Sequence, residues 1–544
     1  MDDNKIRIIN KADSAVTMKV TVVAKPKKDE QQWYRLTQSF ARLLMMVRNV
    51  NITYRNQYSM SLPGYLPSVG DVLGQKTENT GTDDALAPGL GFAFGFVGDD
   101  YVQKARENGW LAGDTIATTP AATNKTEDFS LKATLEPARN LKIDLTASRT
   151  VTRSKSMQFM YGDAGGFPIS HSGQFNMTTI SIKSAFEGMG SAENGFRSAS
   201  FDRFCNSLES FRSRVEAQYA RATYPDGMGE YSGKPFNPSE VAGVNMYSAD
   251  VMVPAFLSTY AGTDGLSIFP ALTKMLPNWT VRYSGLSNMT FFQNIFKSVN
   301  LYHKYESVYS VGSYRSFLTY RSLMGEGLGF IMGSTDGADV PVPNSSYDVS
   351  QVSINETFSP LLGVDVTMKN NMSFNLAYKT TRVLTLSMAS VMLNETYSKD
   401  FQLGCGYKIN DFSFSGRNRR LVKSASSPRG RGGDDADKDT NKSKTSSKNS
   451  KSFNHDLNLR LDITLRNQAS INRSIDSRIE GRESSASSGN KAFKLSFTAE
   501  YSVSKLLKAA LYYNSQTNTP LLTSSSYPTT THDFGVSMQF SLTR

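Results

Sequence analysis

The chain has 544 residues, of which 39% are hydrophobic, 20% charged and 11% aromatic, enough for several soluble domains or one large closed sheet. A mean hydropathy of −0.38 leaves a membrane β-barrel open, because lipid-facing and lumen-facing residues cancel along each strand. It does exclude a helical membrane protein, since no stretch reaches the roughly 18 to 20 apolar residues that a spanning helix needs, and residues 40–50 are interrupted by Arg42, Arg48 and Asn49.

Met1 is followed by Asp2, Asp3 and Asn4 with no apolar core behind them, so no signal peptide is visible, and an exported protein of this sequence is expected to have lost its N-terminus. Cys205 and Cys405 fit no metal or redox spacing and read as two free or buried thiols. The net charge is +11, and residues 416–452 hold 11 Lys or Arg against 4 Asp. That stretch has no aromatic residue to stack on a base, so a nucleic-acid partner is not expected.

In chain order, residues 1–190 are predicted to be barrel strands with long loops. Gly89, Gly91, Gly95 and Gly98 alternate with Leu90, Phe92, Phe94 and Phe96, which reads as a packed or close-approach segment without a phosphate fingerprint. Alternation with period two marks strands at 141–147 and 175–181, with His171 in a loop at 168–173. A mainly helical insertion is predicted over 191–265. From Ser198 to Thr223, Phe201, Phe204, Leu208, Phe211, Val215 and Tyr219 recur at steps of three and four, opposite Arg203, Glu209, Arg212, Arg214 and Glu216. This amphipathic helix is expected to pack on a barrel mouth or inside the lumen. A second helix is predicted over 239–260, with Pro254 as a kink or fresh start and Gly262 as its stop.

Barrel strands resume over 266–415, with alternation at 299–309, 372–378 and 401–409. Residues 416–452 form a basic low-complexity linker expected to be disordered. Its Asp434, Asp435, Asp437 and Asp439 lack the glycine and closing Glu of a calcium loop and read as a solvated charge run.

Residues 453–544 are predicted to be the C-terminal barrel strands. Phe453, His455, Leu457, Leu459, Leu461, Ile463 and Leu465 alternate with Asn454, Asp456, Asn458, Arg460, Asp462, Thr464 and Arg466. At ~3.3 Å per residue and ~40° tilt this run rises ~33 Å, enough to cross a bilayer. Further strands follow at 493–503, 507–513 and 532–542, with a turn at Ser504 and Lys505 and a polar loop at 515–533. Weaker candidates bring the total to about 14 to 16 strands. Tyr501, Tyr512, Tyr513 and Phe540 suit interfacial girdles. By parity, the candidate lumen-facing residues are Asn458, Arg460, Asp462, Lys494, Ser496, Glu500, Ser537 and Gln539.

Catalysis is not expected. His455 and His532 each precede an Asp, but strand neighbours point to opposite faces and cannot pair within the strand. His303 lies among Lys304, Tyr305 and Glu306. No P-loop, G-x-S-x-G elbow, HExxH or CxxC is present, and no metal or cofactor is implied.

The strings LPGYLP (62–67), APGLGFAFG (87–95), NGWL (108–111), LEPARNLKIDLTASRT (135–150), VPAFLSTYAG (253–262), LPNWTVRYSGL (276–286), HKYESVYSVGSY (303–314), INETFSPLLGVDVTMKNN (354–371) and DLNLRLDITLRNQASINRSID (456–476) resemble the C-terminal part of the SprA/Sov family. These are the outer-membrane translocons of the Bacteroidetes type IX secretion system, associated with gliding motility. The resemblance runs in order from about residue 40 to Arg544.

The resemblance implies an all-β membrane protein whose long antiparallel strands form part of a very large transmembrane β-barrel, with a small helical insertion. It implies passage of folded cargo proteins bearing C-terminal sorting domains to the cell surface of a Gram-negative bacterium. The implied partners are a plug protein, a PorV-like shuttle barrel and outer-membrane lipid. Two departures stand out: the family's N-terminal bulk is missing, as in a fragment or split subunit, and the basic linker is longer than expected. With a periplasmic C-terminus, the strand count is read as placing 416–452 outside the cell. The alternatives are a self-contained outer-membrane porin or transporter barrel and, behind it, a surface β-rich adhesin.

Overall fold

The computed structural model describes residues 46–541 except 69, 71–72, 80–83, 99, 113–118, 159–168, 189, 191, 238–242, 326, 336–337, 411, 413–454, 477–483, 505 and 523–526. The basic linker and its Asp cluster lie outside the described residues, as do Phe453, Asn454 and the start of the second predicted helix.

The strands in chain order are β1 (Val47–Ser61), β2 (Lys76–Asn79), β3 (Asp84–Ala87), β4 (Ala121–Ala138), β5 (Leu141–Met157), β6 (Ile169–Thr178), β7 (Asn278–Tyr283), β8 (Phe296–Ser316), β9 (Arg321–Ser322), β10 (Gly329–Thr335), β11 (Ala338–Asn344), β12 (Tyr347–Met368), β13 (Met372–Ser387), β14 (Met392–Ile409), β15 (Leu457–Ser474), β16 (Ser485–Ser502), β17 (Leu507–Pro520) and β18 (Thr529–Phe540). The chain is mostly antiparallel sheet. Among the described residues, thirteen strands form one sheet in the order β1-β4-β5-β6-β8-β12-β13-β14-β15-β16-β17-β18, with β7 pairing both β5 and β8. The five remaining strands make two small sheets, β11-β10-β9 and β2-β3.

Neighbouring strands of the sheet are antiparallel; some are joined by tight turns, with positive φ at Asn140 and Asn371 in two of them, and others by long excursions. Its strands are long: β8 has 21 residues and β12 has 22. Several outrun their apolar alternation. Thr517 and Thr519 of β17, and Thr530 of β18, continue the parity of the apolar residues as polar ones. Most of the predicted loop at 515–533 is therefore strand, and His171 likewise lies within β6 instead of a loop. Alternation detects only the part of a strand whose two faces meet different media. The Gly89–Gly98 segment also departs from expectation. Leu90–Ala93 is a short helix between Gly89 (φ 91°) and Gly95 (φ 74°), and Phe94 and Phe96 are exposed, not packed.

One strand position is shared. β6 fills one half of the gap between β5 and β8, and β7 fills the other half. Between them the chain leaves the sheet after Thr178 and returns at Asn278, where Leu276 N–H donates to Thr178 O at 3.3 Å. The excursion is the helical insertion, broader than its sequence-predicted limits.

Its first long helix, α1 (Ala199–Tyr219), starts at Ser198, whose hydroxyl accepts from the Phe201 N–H. The six apolar residues of its predicted stripe are all buried. The second, α2 (Ala249–Ala261), is buried on nearly every side and runs through Pro254 without a break. Gly262 ends it in the left-handed conformation (φ 65°), as a C-terminal glycine should. α2 is thus sandwiched between α1 and the sheet, with Phe204 of α1 edge-on to Phe256 of α2.

Candidate functional site: the two faces of the sheet

The register assigns every strand residue to one of two faces. Leu457, Leu459, Leu461, Ile463 and Leu465 of β15 lie beside Phe401, Leu403, Cys405 and Tyr407 of β14, and on their other side beside Phe493, Leu495, Phe497, Ala499 and Tyr501 of β16. The row continues through Leu507, Ala509, Leu511 and Tyr513 of β17 to Phe534, Val536, Met538 and Phe540 of β18. In the other direction it passes through Phe374, Leu376 and Tyr378 to Leu145, Leu131 and Ile52. This belt runs across the whole sheet. It is exposed most at the edges, with Ile52 at 62% and Met538 at 74%.

The eight candidate residues lie together on the opposite face. Asn458 pairs with Glu500, Asp462 with Ser496, and Thr464 with Lys494; Arg460 is opposite Thr498. Ser537 and Gln539 pair with Ala510 and Lys508, which carry the same parity. Side chains here are tied along and across strands: Arg460 to Asp462 at 2.7 Å, Arg466 to Asp400 at 2.9 Å, Lys508 to Glu500 at 3.2 Å and Lys408 to Asp456 at 2.7 Å. Such exposed pairs are each worth only ~0.2–1 kcal/mol, so they shape a hydrophilic wall more than they stabilise it. Tyr512 is also on this face, its ring over Gly535, and so does not join a girdle on the belt.

The belt face has a second region. Beyond the belt, toward the far ends of β5–β15, the same parity is covered by the helical insertion. The register places the helices on the face opposite the eight polar candidates. The clamp that holds them carries charge. Glu395 of β14 accepts from Arg382 Nε at 2.9 Å, and from Arg473 Nε and Nη2 at 3.0 and 2.9 Å. Arg382 Nη1 also donates to Ser184 O at 2.6 Å, and Arg473 donates to Phe196 O. Both guanidiniums lie against rings of the insertion, Tyr260 and Phe201. Arg473 has no exposed surface, and its charge is carried by this network.

A smaller polar cluster secures the point where the insertion leaves the sheet. Tyr305 O–H donates to Glu356 at 2.8 Å and accepts from Ser181 N–H at 2.8 Å, and Ser307 N–H donates to Asn278 Oδ1 at 2.9 Å. At the outer end, Tyr219 O–H donates to Gly329 O at 2.9 Å and ties α1 to the β9–β11 sheet. Burial pushes the Asp250 carboxyl up to about 6, against the Ser345 hydroxyl that donates to it at 3.0 Å. Burial likewise pushes the Cys205 thiol up to about 12, with Asp202 adding to the shift.

The histidines do not converge. His303 Nδ1 contacts Leu361 O at 2.6 Å, His455 Nδ1 contacts Ser502 O at 3.2 Å, and His532 Nδ1 is 3.1 Å from the Tyr513 hydroxyl. Among the described residues, no group of three or more His, Cys, Asp or Glu could hold a metal ion. Nor is any described helix long and apolar enough to cross a membrane. No protein-family model matches the chain, and no curated protein matches it.

Sequence reasoning missed Arg382, Glu395 and Arg473. Their signal was present: each interrupts an apolar parity, Arg382 before Leu384, Glu395 after Leu393 and Arg473 after Ile471. At these three positions the charge on the greasy parity coincides with burial of that face beneath the insertion.

Proposed function

We propose that this chain is part of the wall of an outer-membrane protein-conducting channel, with the belt in hydrocarbon and the polar face lining a wide aqueous passage for folded cargo, as in the SprA/Sov translocons it resembles. The observation that carries the reading is the segregation of exposed acids. From β13 to β18 the carboxylates Asp400, Asp462, Glu500 and Asp533 share the polar face, whereas the belt face has only Glu395, buried between two arginines.

The dimensions agree. Leu457 to Leu465 covers roughly 26 Å along the strand, or about 20 Å in height at ~40° tilt, near the ~25 Å band of outer-membrane barrels. Among the described residues β1 and β18 pair on one side only, which favours a segment of a larger barrel over a self-contained porin, because unpaired strand edges are not tolerated in lipid. On this reading the chain performs no chemistry, and its partners are cargo with C-terminal sorting domains, a plug and a PorV-like shuttle.

Nitroxide labels at Leu461→Cys and Asp462→Cys, in a background with Cys205 and Cys405 replaced by Ser, test the assignment in lipid vesicles. The Leu461 label is expected to be accessible to oxygen and shielded from a water-soluble nickel chelate, and the Asp462 label the reverse. Equal chelate access at both positions would overturn the channel-wall reading.

A further inference from the structure

The row of side chains just beyond the belt carries two lysines. In the ladder from β13 to β17, Tyr378, Phe401, Leu465 and Phe493 form the last apolar row, and the next row on the same face reads Thr380, Lys399, Asn467, Lys491 and Thr519. The two rows line a shallow recess of about 350 Å³ on the open part of the face, outside the helical insertion. Lys399 and Lys491 are exposed, and among the described residues neither ammonium is in an ion pair. Their backbones are two strand spacings apart, roughly 10 Å, with Asn467 between them. Lys399 Nζ lies 5.8 Å from the centroid of the Tyr397 ring on the same face, and both lysine stems rise beside the aromatic rim.

On the opposite face, Arg460, Arg466, Lys408 and Lys508 all have carboxylates within 3.2 Å. What sets Lys399 and Lys491 apart is their place, side by side where an apolar floor gives way to polar side chains. A ligand fitted to it has an apolar body and an anionic head, in that order along the strand.

We infer that Lys399 and Lys491, with Asn467 between them, hold the headgroup phosphate of a membrane lipid whose acyl chains lie on Tyr378, Phe401, Leu465 and Phe493. This rests on the belt facing lipid. It goes further by naming a lipid class and a leaflet: a phosphorylated lipid of the leaflet bordering the helical insertion, which is the outer one if the C-terminus is periplasmic.

The test uses the full chain in nanodiscs of phosphatidylcholine with an admixture of diphosphoryl lipid A, read by native mass spectrometry of retained lipid. A lysine near an anionic surface contributes on the order of fivefold in partitioning. The paired K399Q/K491Q change is therefore expected to lower lipid A retention by roughly 30-fold, and the K399R/K491R pair to keep it. Equal retention by wild type and K399Q/K491Q overturns the site. So does protection against heat by inorganic phosphate alone that matches the protection by lipid A, since the ligand would then be a free anion. The Leu461 nitroxide in the same discs separates the two claims. Oxygen access with unchanged retention sinks only the lipid site, whereas loss of oxygen access sinks the membrane reading itself.

Discussion

Glu395 is the residue on which the insertion's attachment turns. It pairs with two buried guanidiniums that in turn hold the Ser184 and Phe196 carbonyls of the insertion, so one carboxylate couples three strands to two points of the insertion. Removing one member of a buried ion network leaves an uncompensated charge and costs about 3–5 kcal/mol. Glu395→Gln is expected to destabilise the packing of the insertion by that amount. The measurement is hydrogen exchange in α2, which should speed up while the amides of β16–β18 keep their protection. The three charges were visible in the sequence as breaks in an apolar parity. Their partnership was not, because Arg382 and Arg473 meet Glu395 across different strands.

Individual strands owe their form to a medium that changes along their length. β15 begins with five apolar residues on one face, continues on that face into Asn467, and ends there with Ala469, Ile471 and Arg473 under the helices. Its alternation was legible where one face is apolar and the other polar, and it was lost where both faces turn polar. Substitutions at neighbouring positions should separate the two faces by energy. Ile463→Arg places a charge in the belt and is expected to cost about 2–4 kcal/mol, whereas Thr464→Arg, one residue on, should change little. Urea titrations of folding into lipid vesicles would measure both. α1 was legible from its stripe, but its resting face was not, since an amphipathic helix states only that one side must be covered.

Across the whole sheet, the register aligns ends that are distant in sequence. Ile409 pairs with Leu457, Leu457 with Tyr501, and Leu507 with Phe540. The connection from β14 to β15, which contains residues 416–452, therefore starts and finishes at the same end of the sheet as the C-terminal end of β18. The strand count that set 416–452 opposite the C-terminus is corrected at the flanking strands, because the four strands β15–β18 bring the end of β18 back to the end of the sheet where β14 stops and β15 starts. Cysteines introduced at Phe412 and Ser504 should react with an impermeant thiol reagent from one side of the membrane, and a cysteine at Leu522 from the other. Labelling of all three from one side would show that the sheet does not span the bilayer.

The sequence by itself determined that this is a long-stranded sheet with one greasy and one hydrophilic parity, and it placed all eight polar candidates on a common face. It could do so because side-chain direction follows from a two-residue period that needs no partner. The order of the strands along the sheet, the shared position of β6 and β7, and the face on which the helices rest were decided by tertiary structure alone. These depend on pairings across many residues and on three buried charges from separate strands, and no local period encodes which distant groups will meet.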